Sequence, residues 1–311
     1  MESNGFELPE NPHQYTIENK IGEGTFASVY TCQHKSGMKY AVKKFHLSML
    51  KLQKLDKYIY NEIAIMKEIS RGHPNVIHLI DYYYEQHYLY VIMELLQGGE
   101  LFDKLLQLNH FDEGHAKLII KQVLNGVAYL HDNYIVHRDI KPENIVFRFQ
   151  DKLDIVLVDF GLAVHLDPLD RPNLYSPAGS KGFVAPEILL GQPYNEKVDV
   201  WSIGVTTYFI LCGYTPFENL EQDEGLDEHL RIMSGNYRFN KDWNAISNES
   251  KEFIKRLLTV DAVKRSSAKE ALQDPWLYQV QTLGRRQSEV GVILFAYLGT
   301  QFIAEYSFPF I

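Results

Sequence analysis

Apolar and polar positions change rhythm along this chain close to residue 98. Before it, apolar residues come in alternations and short runs: Tyr15 and Ile17, then Val29, the run 40–42 and the run 89–93. Stretches this rich in aromatic and β-branched residues predict a small antiparallel sheet. Residues 55–69 follow a different period, because Ile59, Ile63 and Met66 step by four and three and so mark the buried face of one helix interrupting the strands. Glu62 points along that same face, where a carboxylate needs a cation. Lys43, nineteen residues earlier on a predicted strand, is the natural candidate.

After Gly98 and Gly99 the pattern turns helical. Residues 116–133 carry Ile119, Val123, Val127 and Leu130 on one face, whereas 198–211 are apolar nearly all round, as in a helix buried inside a large lobe. That helix is too short, and too polar at Asp199, to span a bilayer, and no transmembrane segment is expected. Residues 159–187, with Pro168, Pro172, Pro177 and several glycines, predict a long loop, and loops of that length are usually functional or mobile. The expected architecture is α+β: a strand-rich lobe over 15–95, a helix-rich lobe over 96–277, a hinge at Gly98-Gly99 and a ligand cleft between the lobes.

A length of 311 residues and 45 % hydrophobic content supply ample core. The net charge of -9 argues against nucleic acid as a partner. Cys32 and Cys212 form neither a disulfide ladder nor a metal spacing, which favours a reducing compartment, cytoplasm or nucleus. The N-terminal residues show no signal peptide, and Glu2 stands where myristoylation requires glycine.

The densest chemistry lies in residues 137–144, where Asp139 is followed by Lys141 and Asn144. A hydroxyl attacking a phosphoryl group needs a proton acceptor, a neighbouring cation and a neutral oxygen ligand for magnesium, which these three can supply in that order. Alone, Asp139 would be a loop residue and Lys141 a solvated charge. Residues 21–29, Ile-Gly-Glu-Gly-Thr-Phe-Ala-Ser-Val, lie between two strands, where glycines let backbone amides approach phosphate oxygens; by itself the pattern fits an ordinary hairpin turn. No helix follows it, so a dinucleotide-binding fold is excluded. Asp159-Phe160-Gly161 emerges from the apolar run 155–158 at a turn.

Jointly these segments resemble the eukaryotic protein kinases over residues 15–277: the glycine-rich loop, strand Lys43 with Glu62, the catalytic loop 137–144, Asp159-Phe160-Gly161, Ala185-Pro186-Glu187 and Arg265. Lys141 resembles the serine/threonine branch. Residues 93–103, Trp243 with Ile246 and Ser247, and residues 274–277 resemble the calcium/calmodulin-dependent protein kinase group. The resemblance implies a bilobal kinase fold that uses ATP and Mg2+ on protein substrates. Catalytic roles would fall to Asp139, Lys141, Lys43 and Glu62, and metal binding to Asn144 and Asp159. The nucleotide would lie among Ile21, Gly22, Gly24, Ala27, Val29, Ala41, Lys43, Met93, Glu94, Leu96, Glu100 and Val146, with Met93 as gatekeeper and the backbone of Glu94 and Leu96 on adenine. Ala27 departs from the family's third glycine. Met66, Leu79, His137 and Phe160 would stack as a spine joining the lobes. Asp199 would anchor the catalytic loop, and Glu187 would pair with Arg265. A pseudokinase is the rival reading, but Lys43, Asp139 and Asp159 are all present. The segment 176–187 resembles a peptide-binding platform, which speaks against a small-molecule kinase.

Glu100 and Glu143 match positions that read an arginine upstream of the phosphorylated residue, so an Arg-x-x-Ser/Thr preference is expected. Ser180 would bond Asp139 and Lys141 on the substrate side. Arg138 is a cation suited to an activating phosphate delivered by an upstream kinase, with Ser176 as the first candidate acceptor and Tyr175 the second. Residues 278–311 form a tail in which Arg285-Arg286-Gln287-Ser288 fits the expected specificity, making Ser288 a candidate autophosphorylated or autoinhibitory site. Calmodulin is a partner the group name suggests, but its targets are basic amphipathic helices and this tail holds only Arg285 and Arg286 as cations.

Overall fold

The computed structural model describes residues 14–278 apart from 25–26, 53–55, 71, 168, 170–173 and 219–226. Five strands, β1 (Tyr15–Glu23), β2 (Ala27–His34), β3 (Lys39–His46), β4 (Leu79–Glu85) and β5 (Tyr88–Met93), form an antiparallel sheet in the order β1-β2-β3-β5-β4. Alternation along β3 decides what each face does. Val42 packs with Cys32, Tyr83, Tyr90 and Ile92 in a separate apolar cluster, where the Tyr83 and Tyr90 rings stack at 4.7 Å. Lys43, its neighbour along the strand, is directed to the opposite face and meets the helical side.

Two helical segments lie between β3 and β4 where the sequence predicts one. The extra piece, α1 (Leu47–Leu52), buries Leu47 and Leu50, three positions apart, and is too short for its period to stand out. α2 (Asp56–Ile69) buries Ile59, Ile63 and Met66 as its period predicts, and Glu62 with them.

The second lobe begins with α3 (Leu101–Leu108) and α4 (Glu113–Asp132). Asp112 caps α4 by accepting from the His115 amide at 3.0 Å, so the helix starts three residues earlier than the apolar period suggests. Short strands follow: β6 (Ile135–Val136), β7 (Ile145–Phe147), β8 (Ile155–Leu157) and β9 (Val164–His165), pairing as β6-β9 and β7-β8. The remainder is helical: α5 (Pro186–Leu189), α6 (Lys197–Cys212), α7 (Glu228–Ser234), α8 (Asn248–Leu257) and α9 (Ala268–Ala271). α6 is the buried helix that the sequence predicts, with Val200, Trp201, Ile203 and Val205 fully enclosed. Among the described residues no helix is long and apolar enough to cross a membrane.

Two expectations change. The segment 159–187 contains β9, a bridge between Leu174 and Tyr194, and the start of α5, because two-residue pairings leave no visible period. The Gly98-Gly99 pair is docked, not a free pivot: the Gly98 amide donates to the Phe147 carbonyl at 2.9 Å and the Phe147 amide to the Gly99 carbonyl at 2.9 Å. A Cβ at Gly98 would lie 2.4 Å from the Phe149 carbonyl oxygen, so glycine permits a close approach there.

Candidate active site

The site is assembled at the facing ends of the two lobes. Lys43 stands opposite Val29 on β2 and Val91 on β5, on the central strands of the sheet. Its Nζ lies 2.9 Å from Glu62 Oε1 and 3.1 Å from Asp159 Oδ1, joining sheet, helix and second lobe through one ammonium. Burial alone would depress the Lys43 pKa, but the two carboxylates raise it above the ordinary lysine value and keep the group charged. The same contact, with burial opposing it, holds Asp159 below the usual carboxylate range.

The catalytic-loop candidate is pinned from beneath by Asp199 at the start of α6. Its carboxylate accepts from the His137 amide at 2.9 Å and the Arg138 amide at 2.8 Å, and His131 Nε2 lies 2.9 Å away. Burial pushes the Asp199 pKa up, yet the His131 contact and these amides bring it below the ordinary value, so a fully enclosed carboxylate stays ionised. Arg138 and Asp159 both take left-handed backbone conformations, at φ 65° and 61°. Non-glycine residues adopt that region at a cost of order 1–3 kcal/mol, and such strain clusters where side chains must be aimed.

Asp139 sits at the centre. Ser180 Oγ donates to its Oδ1 at 2.7 Å, Lys141 Nζ lies 3.2 Å from its Oδ2, and Asn144 Nδ2 donates to Oδ2 at 2.8 Å. Asn144 Nδ2 also donates to the Asp139 carbonyl at 2.8 Å, so its amide nitrogen is committed and its oxygen is left as a ligand. Lys141 donates to Ser180 Oγ at 2.5 Å. The Val158 amide bonds the Asn144 carbonyl at 3.0 Å, setting Asp159 beside Asn144 across the β7-β8 hairpin. Contacts therefore join Glu62, Lys43 and Asp159 in one group and Asn144 with Asp139 in another, and the main-chain bond from Val158 to Asn144 holds the two groups side by side. Three carboxylates, two ammonium groups and a carboxamide around one opening can hold a polyphosphate and accept a proton beside it.

The other predicted residues fall around this opening. Gly22 pairs with Val29, and the Gly24 amide donates to the Ala27 carbonyl at 2.8 Å, closing the β1-β2 hairpin beside Ile21. Ala41 lies opposite Met93. The Glu94 amide is engaged by the His78 carbonyl at 3.2 Å, so only the Glu94 carbonyl can face a ligand; Leu96 follows, half-buried. Val146 bridges to Glu100, and Glu143 Oε2 is buried with no partner. His137 and Phe160 are enclosed with ring centroids 4.9 Å apart, in the interior with Met66 and Leu79. Arg138 donates to Ser176 Oγ at 3.0 Å and to the Tyr194 hydroxyl at 2.9 Å, while Tyr175 is exposed. Ser288 lies outside the described residues.

Sequence reasoning missed Tyr194, His131 and Asn61. Tyr194 donates to the Ser176 carbonyl at 2.5 Å, and Asn61 on α2 donates to the Ala163 carbonyl at 2.8 Å, tying that helix to the segment after Gly161. Each is a polar residue serving a distant backbone group, for which no local pattern exists.

Compared with known proteins, residues 15–277 match the protein kinase domain family. The chain is 39 % identical over 270 residues to a calcium/calmodulin-dependent protein kinase, cmkB, of Emericella nidulans, covering 86 % of this chain and 66 % of that relative. It is 39 % identical over 269 residues to the calcium/calmodulin-dependent protein kinase type I of Schizosaccharomyces pombe, covering 86 % of this chain and 79 % of the relative. Myosin light chain kinase A of Dictyostelium discoideum is 38 % identical over 266 residues, 85 % of this chain and 88 % of that protein.

Proposed function

The chain belongs to the protein kinase family, in its serine/threonine branch, and from that premise we propose that it transfers the γ-phosphoryl group of Mg-ATP to Ser and Thr hydroxyls of proteins bearing an upstream arginine, in intracellular signalling. The single observation that carries this reading is the convergence of the Glu62–Lys43–Asp159 contacts with the Asn144–Asp139 contacts, joined by the main-chain bond from Val158 to Asn144. Asp139 accepts the hydroxyl proton, Lys141 stands beside the migrating group, and Lys43, oriented by Glu62, holds the nucleotide's phosphates. The oxygen donors of Asn144 and Asp159 fit a hard cation that draws its remaining ligands from phosphates and water. When bound, Mg2+ would neutralise phosphate charge; Asn144 and Asp159 would hold it.

Substrate choice is read from the acidic end of the cleft. Burial first, then Asp103 and Glu143, with Lys141 opposing, push the Glu100 carboxyl up to about 7. Glu100 is thus partly protonated near neutrality until a guanidinium arrives, and the buried, unpartnered Glu143 Oε2 waits beside it. An arrayed peptide library is expected to show a gain in kcat/KM for Arg-x-x-Ser over Ala-x-x-Ser. Because only the ionised carboxylate pairs with arginine, that gain should rise by up to about tenfold between pH 6 and pH 8. No gain from arginine at either pH would end the specificity reading.

Regulation centres on Arg138. Its guanidinium already touches Ser176 Oγ, so a phosphate placed there would pair with the cation and tighten the segment leading to Ser180. Ser176→Ala is expected to lower activity about fivefold after treatment with an upstream kinase, a modest share of what ordering an activation segment yields. Equal turnover of the two proteins, with phosphate found at Tyr175 instead, would move the role to Tyr175. Two of the relatives are named as calcium/calmodulin-dependent, which makes calmodulin a partner to test on residues 278–311.

A further inference from the structure

Behind the cleft, Arg148 opens the loop of the β7-β8 hairpin, a segment with no part in the chemistry described above. Its side chain reaches out of the second lobe to three separate groups. Nη1 pairs with Glu94 Oε2 in the segment joining the lobes, Nη2 donates to the Pro74 carbonyl at 2.6 Å in the link between α2 and β4, and Nε lies 3.2 Å from Asp154 Oδ2. The Arg148 backbone joins the same junction, its carbonyl accepting from the Gln97 amide at 3.1 Å and its amide donating to the Asp154 carbonyl at 2.8 Å. Glu94 is fixed at both carboxylate oxygens, because Oε1 accepts from the His78 amide at 3.1 Å. The Glu94 and Arg148 side chains are only 16 % and 19 % exposed, so solvent screens the pair little.

The Pro74 side of the junction is itself rigid. Asn75 Nδ2 donates to the Ile155 carbonyl at 2.7 Å, and the Ile77 amide to the Leu157 carbonyl at 3.0 Å, so this link is already bound to β8. Glu94 and Leu96, by contrast, stand between the lobes, and their backbone must hold one conformation to receive an adenine edge. We propose that Arg148 is a positioning residue for the nucleotide: by clamping the Glu94 side chain to the Pro74 link it fixes the connecting backbone from the face opposite the ligand. This inference rests on the reading of the cleft as an ATP site. Without the guanidinium the connecting segment samples other arrangements, and nucleotide affinity falls by the fraction of time the competent one is lost. The reacting groups around Asp139 make no contact with Arg148 and keep their geometry.

The test uses the full chain carrying Arg148→Ala, Arg148→Lys, or the exchange Glu94→Arg with Arg148→Glu, with ADP binding followed by calorimetry alongside steady-state kinetics. Arg148→Ala should raise the ADP Kd and the ATP KM by about tenfold, with kcat within about twofold and the peptide KM unchanged. Arg148→Lys, able to pair with Glu94 but not to span all three partners, should fall between. The exchange should recover at least half of the lost affinity, which a merely structural role would not do. Unchanged ADP affinity, a rise in kcat, or a joint fall of kcat, peptide affinity and Tm would each overturn the proposal. A wild-type chain that binds no ADP would overturn both this inference and the nucleotide reading beneath it.

Discussion

Asp139→Asn is expected to lower kcat by about 10²–10⁴-fold, the range associated with removing a positioned general base, while leaving the ADP Kd within about threefold. The substitution keeps the size and planarity of the side chain but removes its ability to take a proton. The neighbouring groups make the effect specific. Ser180 Oγ, Lys141 and Asn144 all address the Asp139 carboxylate as donors, so an asparagine must turn its own amide hydrogens toward at least one of them. Nucleotide affinity should survive because Lys43, Glu62 and Asp159 pair among themselves and not with Asp139. Single-turnover phosphoryl transfer to an arginine-containing peptide, with ADP calorimetry as the control, separates the two effects. Turnover within tenfold of wild type would remove Asp139 from the chemistry. A wild-type chain equally inert would instead favour a scaffold that binds nucleotide without using it.

Much of this site was legible because its residues sit at fixed offsets along short segments. Glu62 shares a helical face with Ile59, Ile63 and Met66, and a buried carboxylate there implied a cation, which the Lys43 contact at 2.9 Å supplies. Asp139, Lys141 and Asn144 fall within six residues, a span short enough for Lys141 and Asn144 both to reach the Asp139 carboxylate. What stayed hidden depends on distant backbone groups. Tyr194 serves Arg138 and the Ser176 carbonyl, and Arg148 serves Pro74 and Glu94; neither sequence neighbourhood carries a period or a charge pattern that announces it. The short α1 and the two-residue β6 and β9 fall below the length at which periodicity discriminates. Gly98 shows a related limit: a glycine that lets Phe147 approach looks, in sequence, the same as one that lets the chain swing.

Arg265→Met should destabilise the second lobe by about 3–5 kcal/mol, the cost of stranding one member of a buried ion pair, and lower Tm by roughly 10 °C. The Arg265 side chain is fully enclosed and bonds Glu187 through both carboxylate oxygens, at 2.7 and 2.9 Å. Its remaining donors reach the carbonyls of Lys197 at 2.9 Å, Thr259 at 2.9 Å and Val260 at 3.2 Å, and the guanidinium lies 5.1 Å from the Trp201 ring centroid. Methionine fills part of the volume and satisfies none of these acceptors, leaving Glu187 charged or forced to take up a proton in the interior. Glu187→Gln should cost less, because one amide oxygen still accepts from arginine and three carbonyl contacts persist. Arg265→Met combined with Glu187→Leu should recover part of the loss, since an apolar pair removes the stranded charge. Calorimetric unfolding of the three variants measures that ordering, and an Arg265→Met protein within about 3 °C of wild type would contradict it. Glu187 closes the segment that carries Ser176 and Ser180, so at permissive temperature the same variant should raise the peptide KM more than the ATP KM. Equal changes in both would mean that the pair supports the lobe as a whole and has no particular hold on the substrate platform.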